Sequence, residues 1–163
     1  MSTRSTTWFV YGENYGENKK PTAIIYRHPD GYPEGAGVDI LRFLEECSKL
    51  PDPRFSDPSY LAAKYVVFLA DMFNYTYTGH GEHKRPESRL QFISVGVVNQ
   101  DPGDIEYRYV VNCGNLINRR PVVKCFELSG TWDSVKNKDI PQSKWILTEV
   151  PIPPIPKAEE KGA

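Results

Sequence analysis

The sequence has no long hydrophobic run and no excess of charge. No stretch approaches the ~20 apolar residues of a membrane-spanning helix, and residues 1–7 contain no apolar segment of signal-peptide length. The 20 Lys and Arg residues are balanced by 21 Asp and Glu residues, for a formal net charge of −1. Such a chain has no global field to attract nucleic acid or an anionic membrane, so we expect it to bind neither in bulk. The lack of a signal-like or membrane-spanning segment predicts a cytoplasmic protein.

Cysteine is scarce as well. Cys47, Cys113 and Cys125 form an odd set without a CxxC spacing, which argues against a disulfide framework and against a zinc knuckle. Each lies in an apolar pattern, which is typical of a packed thiol rather than a nucleophile. A chain of 163 residues buries enough surface to fold as one domain. No cofactor is needed for folding, and we predict none.

Two helices are predicted in the first half of the chain. Apolar residues recur at helical spacing over residues 38–50, where a pair of prolines follows. Asp57-Pro58 then combines an N-cap carboxylate with an imino acid suited to the first helical position, so a second helix is predicted over residues 58–75. From residue 61 to residue 73 it is apolar except at Lys64 and Asp71, which indicates a mostly buried helix with one narrow wet stripe.

Strand patterns flank this helical region. They cover residues 6–12, 22–28, 90–99, 105–113 and 122–128, and residues 145–150 either add an edge strand or lie across the fold. Both faces of residues 90–99 are apolar or small, as in a central strand. The order ββααβββ predicts an α+β fold, with an antiparallel sheet of about five strands and two helices packed on one face. The domain covers residues 1–150, and a proline-rich, then charged, flexible tail covers residues 151–163.

The loop of residues 27–35, RHPDGYPEG, is the leading candidate for a site. Arg27 could neutralise a phosphate or carboxylate, Tyr32 could stack on a base, and amides around Gly35 could hold an anion at the helix N-terminus. The spacing matches neither a P-loop nor a dinucleotide fingerprint, and a rigid structural turn explains the same residues. The predicted ligand-binding residues of this loop are Arg27, His28, Asp30, Tyr32, Glu34 and Gly35.

A second polar cluster surrounds the turn that begins at Asp101. Asp104, Glu106 and Arg108 follow within the first residues of the next strand. If this hairpin end lies beside the loop of residues 27–35, Asp104 and Arg108 complete the predicted site. A solvated strand face with cross-strand ion pairs accounts for the same residues, and the sequence leaves the adjacency open.

Two alternatives to a small-ligand site remain. His28, Asp30 and Glu34 have side chains suited to a divalent metal, which would make the protein a metal-assisted hydrolase or nuclease. Equally, Asp30 could fix the turn and His28 could bond at a strand end. In the other alternative, Tyr and Trp side chains on an open sheet face or edge contact a partner, or a second copy in a homo-oligomer.

Three sequence blocks carry a resemblance to a known family. AIIYRHPDGYPEG at residues 23–35, RFSDPSYLAAK at residues 54–64 and DPGDIEYRY at residues 101–109 resemble a family of small uncharacterised proteins of bacteria and their phages. The similarity covers about residues 2–128 and implies a phage or mobile-element protein that binds a host protein or a small signalling molecule. It implies no catalytic residues. We therefore expect a non-enzymatic binding domain for a small anionic or nucleotide-like ligand, in which Arg27→Ala weakens binding without unfolding the protein.

Overall fold

The computed structural model describes residues 2–12, 20–76 and 94–157, with the backbone alone for residues 74–76. They form an α+β fold with two α-helices, a six-stranded sheet and a small two-stranded sheet. The helices are α1 (Val38–Ser48) and α2 (Pro58–Thr76). The strands are β1 (Ser5–Val10), β2 (Ala23–Arg27), β3 (Val95–Val98), β4 (Tyr107–Ile117), β5 (Arg120–Ser129), β6 (Trp132–Asp133), β7 (Lys138–Asp139) and β8 (Ile146–Val150).

The large sheet is mixed, with the strand order β3-β2-β1-β4-β5-β8. All neighbours are antiparallel except β1 and β4, which run parallel with Ser5 opposite Tyr107. The prediction of about five strands roughly fits this sheet of six, but the prediction that all pairings are antiparallel is wrong. The cause is the long connection from β1 to β4, which contains β2, both helices and β3 and can return the chain in the same direction.

The edge strands of the large sheet are β3 and β8, and only β8 was predicted as a possible edge strand from the sequence. β3 was expected at the centre of the sheet but lies at its edge, where Val97 is 74% exposed; residues 90–93 of the predicted strand lie outside the described residues. β8 forms the opposite edge, with Leu147 opposite Leu128, which confirms the edge-strand interpretation of residues 145–150. Trp132 lies in the separate β6–β7 hairpin.

The main core lies between the helices and one face of the large sheet. Phe9 and Ile25 point from this face toward Tyr65 and Phe43 of the two helices, and we call it the helix face. Successive strand residues point to opposite sides, so Trp8 and its neighbours lie on the second face. There they form a smaller buried cluster with Ile24 and Val110.

The observed helices begin close to where the sequence places them. Asp57 caps α2, because its Oδ1 accepts bonds from the Tyr60 backbone N–H at 3.3 Å and the Ser59 hydroxyl at 3.0 Å. The solvent-exposed face of α2 is wider than the narrow polar stripe predicted from the sequence. Tyr60 is 53% exposed and Val67 is 62% exposed. Within the described residues, neither helix is long and apolar enough to cross a membrane.

The proline-rich segment after β8 contacts the domain. Ile152 is partly buried against the main core, and a Cβ atom added at Gly37 would lie 2.9 Å from its Cγ2 atom. The first residues of the predicted tail thus pack on the helix face near the start of α1. Residues 158–163 of that tail lie outside the described residues.

Candidate functional site

Arg27 is an internal residue rather than a surface cation. It lies at the end of β2 on the helix face and is only 3% exposed. Its Nη1 lies 2.7 Å from Asp39 Oδ2 in the first turn of α1, and its Nε donates to the Pro29 carbonyl at 2.7 Å. The guanidinium carbon also lies 5.2 Å from the centre of the Phe73 ring. Its charge is therefore neutralised within the fold and is not presented to a ligand.

The backbone of the loop is also used internally. The amide of Gly31 donates to the Thr3 carbonyl at 2.8 Å, and the amide of Gly35 donates to the Tyr32 carbonyl at 2.9 Å. A Cβ atom at Gly35 would collide with the carbonyl oxygen of Asp30. Asp30 itself adopts the left-handed conformation, with φ of 53°, which aspartate tolerates in turns. The glycine at position 35 therefore permits a close approach of the chain to itself.

This loop leads into α1 through a π-helical turn, Pro33–Gly37. Within the loop of residues 27–35, the exposed side chains are those of Asp30, Tyr32 and Glu34. Tyr32 Oη donates to Asp30 Oδ1 at 3.2 Å, and this hydrogen bond raises the pKa of Tyr32. The carboxylates of Asp30 and Glu34 give this surface a negative potential, the opposite of what an anion cradle requires.

The metal alternative gains no support from the geometry. In residues 2–12, 20–76 and 94–157, no three His, Cys, Asp or Glu side chains are arranged so that they could hold a metal ion. His28 is directed toward Tyr26 and Arg4, whereas Asp30 bonds Tyr32. The three proposed ligands, His28, Asp30 and Glu34, therefore do not converge.

Asp101 and Arg108 form a second buried ion pair, on the second face of the sheet. The Asp101 side chain is fully buried, and its Oδ2 lies 2.7 Å from Arg108 Nε. Its Oδ1 accepts hydrogen bonds from Thr6 Oγ1 at 2.6 Å and from Trp8 Nε1 at 2.8 Å. The Arg108 guanidinium lies 4.1 Å from the Trp8 ring centre. Asp101 thus attaches its turn to Thr6 and Trp8 of β1 and to Arg108 of β4. The Arg108 side chain is only 11% exposed and is used within the fold rather than presented to a ligand.

Arg4 joins the two polar regions that the sequence singled out. Its Nε lies 3.4 Å from His28 Nδ1 and 3.4 Å from Asp104 Oδ2. Tyr26 Oη lies 3.2 Å from the same His28 nitrogen. The backbone makes the same connection, because Glu106 N–H donates to the Arg4 carbonyl at 2.9 Å. The loop of residues 27–35 and the Asp101 turn are therefore adjacent.

We refer to Arg4, Tyr26, His28 and Asp104 as the Arg4 cluster. Its ion pair is solvent-accessible, with side-chain exposures of 37% for Arg4 and 53% for Asp104. Since Arg4 Nε always carries a hydrogen, His28 Nδ1 acts as the acceptor of this bond, which leaves Nε2 as the ring nitrogen that can donate. Partial burial, and then the Asp104 carboxylate, raise the pKa of Tyr26.

The cluster contains two of the residues predicted from the sequence, His28 and Asp104. Arg4 and Tyr26 were missed. The proximity of Tyr26 to His28 could have been predicted from the sequence, because residues two apart on a strand share a face and Tyr26 precedes His28 by two. Arg4 carried no comparable signal, since its position follows from the pairing of β1 with strands distant in the chain.

The cysteines lie in the core, and each is less than 5% exposed. Burial raises the pKa of Cys113 and of Cys125 from the ordinary value of 9.0 to about 12. Thiols with such pKa values are not activated nucleophiles at neutral pH.

These thiols should make the protein sensitive to alkali. A pKa raised in the folded state leaves stability intact below the unfolded pKa of 9.0 and removes it progressively as the pH rises toward about 12. We expect Cys113→Ala to reduce the loss of unfolding free energy between pH 8 and pH 10 by about 1.4 kcal/mol. Urea titrations at both pH values measure this difference; an unchanged loss in the variant would mean that the Cys113 thiol ionises in the folded protein.

Comparison with known proteins gives no family assignment. No protein-family model, no curated protein and no solved structure matches the chain.

Proposed function

We propose that the protein is a non-enzymatic binding domain for a small anionic ligand, nucleotide-like in its phosphate chemistry, and that the Arg4 cluster is the binding site. One observation carries this proposal. Arg4 Nε lies 3.4 Å from both His28 Nδ1 and Asp104 Oδ2, and 37% of the Arg4 side chain remains exposed, so the guanidinium is accessible to a ligand.

The chemistry of the cluster suits an oxyanion. A guanidinium presents paired donors that match the oxygens of a phosphate or carboxylate, and Asp104 orients this guanidinium. His28 Nε2 supplies a further donor. Tyr32, which is 39% exposed, is the proposed stacking surface for an uncharged base, as the sequence suggested. It follows Gly31, whose amide donates to the carbonyl of Thr3, the residue before Arg4. Arg27 is replaced by Arg4 as the charge partner, because Arg27 already pairs with Asp39.

Thermal-shift measurements with inorganic phosphate, nucleotides and cyclic dinucleotides test the proposal. A ligand present at one hundred times its Kd adds about 2.7 kcal/mol to the folded state. We expect Arg4→Met to weaken binding by roughly tenfold or more, since a hydrogen-bonded charge contributes about 1.5–3 kcal/mol. The unfolding free energy should change by less than about 1 kcal/mol, because the Arg4–Asp104 pair is exposed.

Arg120→Met is the matched control. Arg120 is an exposed arginine in β5 whose described contact is a hydrogen bond to Ser48 Oγ at 3.2 Å, so its loss removes the same charge at a different place. Equal weakening by both substitutions would show a nonspecific charge effect. If none of these anions stabilises the wild-type protein or the control variant, the proposal is overturned.

The resemblance to bacterial and phage proteins supports the same class of function, in a phage or mobile-element setting. The cytoplasmic location and a homo-oligomeric state also stay predictions. Light scattering at two protein concentrations measures the oligomeric state.

A further inference from the structure

An open groove of about 810 Å³ lies between the outer sides of α1 and α2. This volume falls within the range of small-molecule sites. Phe43 and Cys47, both buried, and the half-buried Phe68 lie along its floor. Val67 and Leu50 also line it and are 62% and 44% exposed, so it offers apolar surface that nothing in the described chain covers.

Charge is distributed unevenly along this groove. Lys49, at the end of α1, and Lys64 both line it. The Lys64 ammonium donates to the Pro53 carbonyl at 3.3 Å and to the Asp52 carbonyl at 3.5 Å, so it is held at the α1 C-terminal end. Burial raises the pKa of Cys47 on the floor of the groove, and the positive charge of Lys64 partly opposes this rise.

Carboxylates also line the groove. Glu46 lies on the α1 side, and Asp39 and Asp71 lie toward the opposite end. Asp39 is already neutralised by Arg27 at 2.7 Å and faces Arg42 at 3.8 Å. At the end of the groove near the C-terminus of α1, two cations, Lys49 and Lys64, therefore outnumber one carboxylate, Glu46, and this end adjoins an apolar floor. Along α2, Lys64 and Asp71 are separated by about 10 Å at a rise of 1.5 Å per residue.

We propose that this groove binds an amphipathic monocarboxylate, with the carboxylate at Lys49 and Lys64 and the alkyl or aryl body along Phe43, Val67 and Phe68. Two lysines attract the carboxylate, and the apolar floor removes the body of the ligand from water. The site is separate from the Arg4 cluster, and the proposal does not rest on the function proposed there.

Isothermal titration with decanoate, at concentrations below micelle formation, tests the proposal. Decanol and decyltrimethylammonium are the comparison ligands, because they keep the chain and remove or reverse the charge. We expect decanoate to bind at least fivefold more tightly than either. Val67→Glu should weaken decanoate binding by more than tenfold, and Lys49→Gln by roughly fivefold.

The α2 helix supplies a matched control. Ala63 is exposed one turn before Val67 and does not line the groove, so Ala63→Glu adds the same charge to the same helix face. This control, and Arg4→Met, should bind decanoate within twofold of the wild-type protein. Equal binding of decanol, equal losses in Val67→Glu and Ala63→Glu, or the absence of saturable binding would overturn the proposal. So would light scattering that shows a dimer dissociated by Val67→Glu, because the groove would then be a self-association surface.

Discussion

Asp101→Asn should lower the free energy of unfolding by about 3–5 kcal/mol, the usual cost of breaking a buried ion pair by removing one partner. The Asp101 side chain is fully buried and faces three donors, from Thr6, Trp8 and Arg108. An asparagine amide has the same size but keeps one acceptor oxygen, and it leaves the Arg108 guanidinium without a counter-charge. Urea denaturation followed by circular dichroism measures the loss.

Two further variants separate the charge from the hydrogen bonds. In Asp101→Asn combined with Arg108→Met, the buried cation is gone and the asparagine oxygen still accepts from Trp8 or Thr6. The double variant should therefore be more stable than Asp101→Asn alone. Asp104→Asn, on the same turn but exposed, should change stability by less than about 1 kcal/mol. A fully stable Asp101→Asn protein would show that this ion pair does not hold the turn.

Arg27→Met should destabilise the protein by about 3 kcal/mol. The substitution leaves Asp39 with 12% of its side chain exposed and without its 2.7 Å partner. The remaining cation, Arg42, lies 3.8 Å away and is 50% exposed, so it compensates only in part. This outcome replaces the expectation from the sequence that losing Arg27 weakens binding without unfolding the protein.

Arg42→Met is the control for this experiment, because it removes the weaker and more exposed of the two cations near Asp39. It should cost less than about 1 kcal/mol. Combining Arg27→Met with Asp39→Asn should recover part of the lost stability, since the uncompensated carboxylate is removed as well. If Arg27→Met is as stable as Arg42→Met, the buried pair does not contribute as we infer.

Local sequence patterns were sufficient for the helices and for most strands. The N-cap at Asp57 and the proline after it fixed the start of α2. Periodicity assigns a strand residue to a face, but it does not name the neighbouring strand. The parallel pairing of β1 with β4, and the place of β3 at the edge, therefore could not be predicted from the sequence.

The candidate site shows the same limit. Arg27 and Arg108 are recognisable as charged residues near glycine-rich turns, yet burial decides their role, and their partners Asp39 and Asp101 depend on the tertiary fold. His28 and Asp104 were both named from the sequence as candidate site residues, but their link through Arg4 depends on the adjacency of two loops that are distant in the chain. The sequence therefore indicated both loops as candidates but not Arg4, the cation that joins them.

The two buried ion pairs flank consecutive residues of β1, because Arg27 lies opposite Ser5 and Arg108 lies opposite Thr6. They occupy opposite sides of the sheet. If either neighbour slipped by one residue along β1, the side chains on the slipped strand would exchange sides, and a guanidinium would enter the interior away from its carboxylate. Misaligned strand pairings thus carry an electrostatic penalty that apolar residues alone would not impose. Charge, as well as hydrophobic packing, excludes incorrectly paired chains from the folded population.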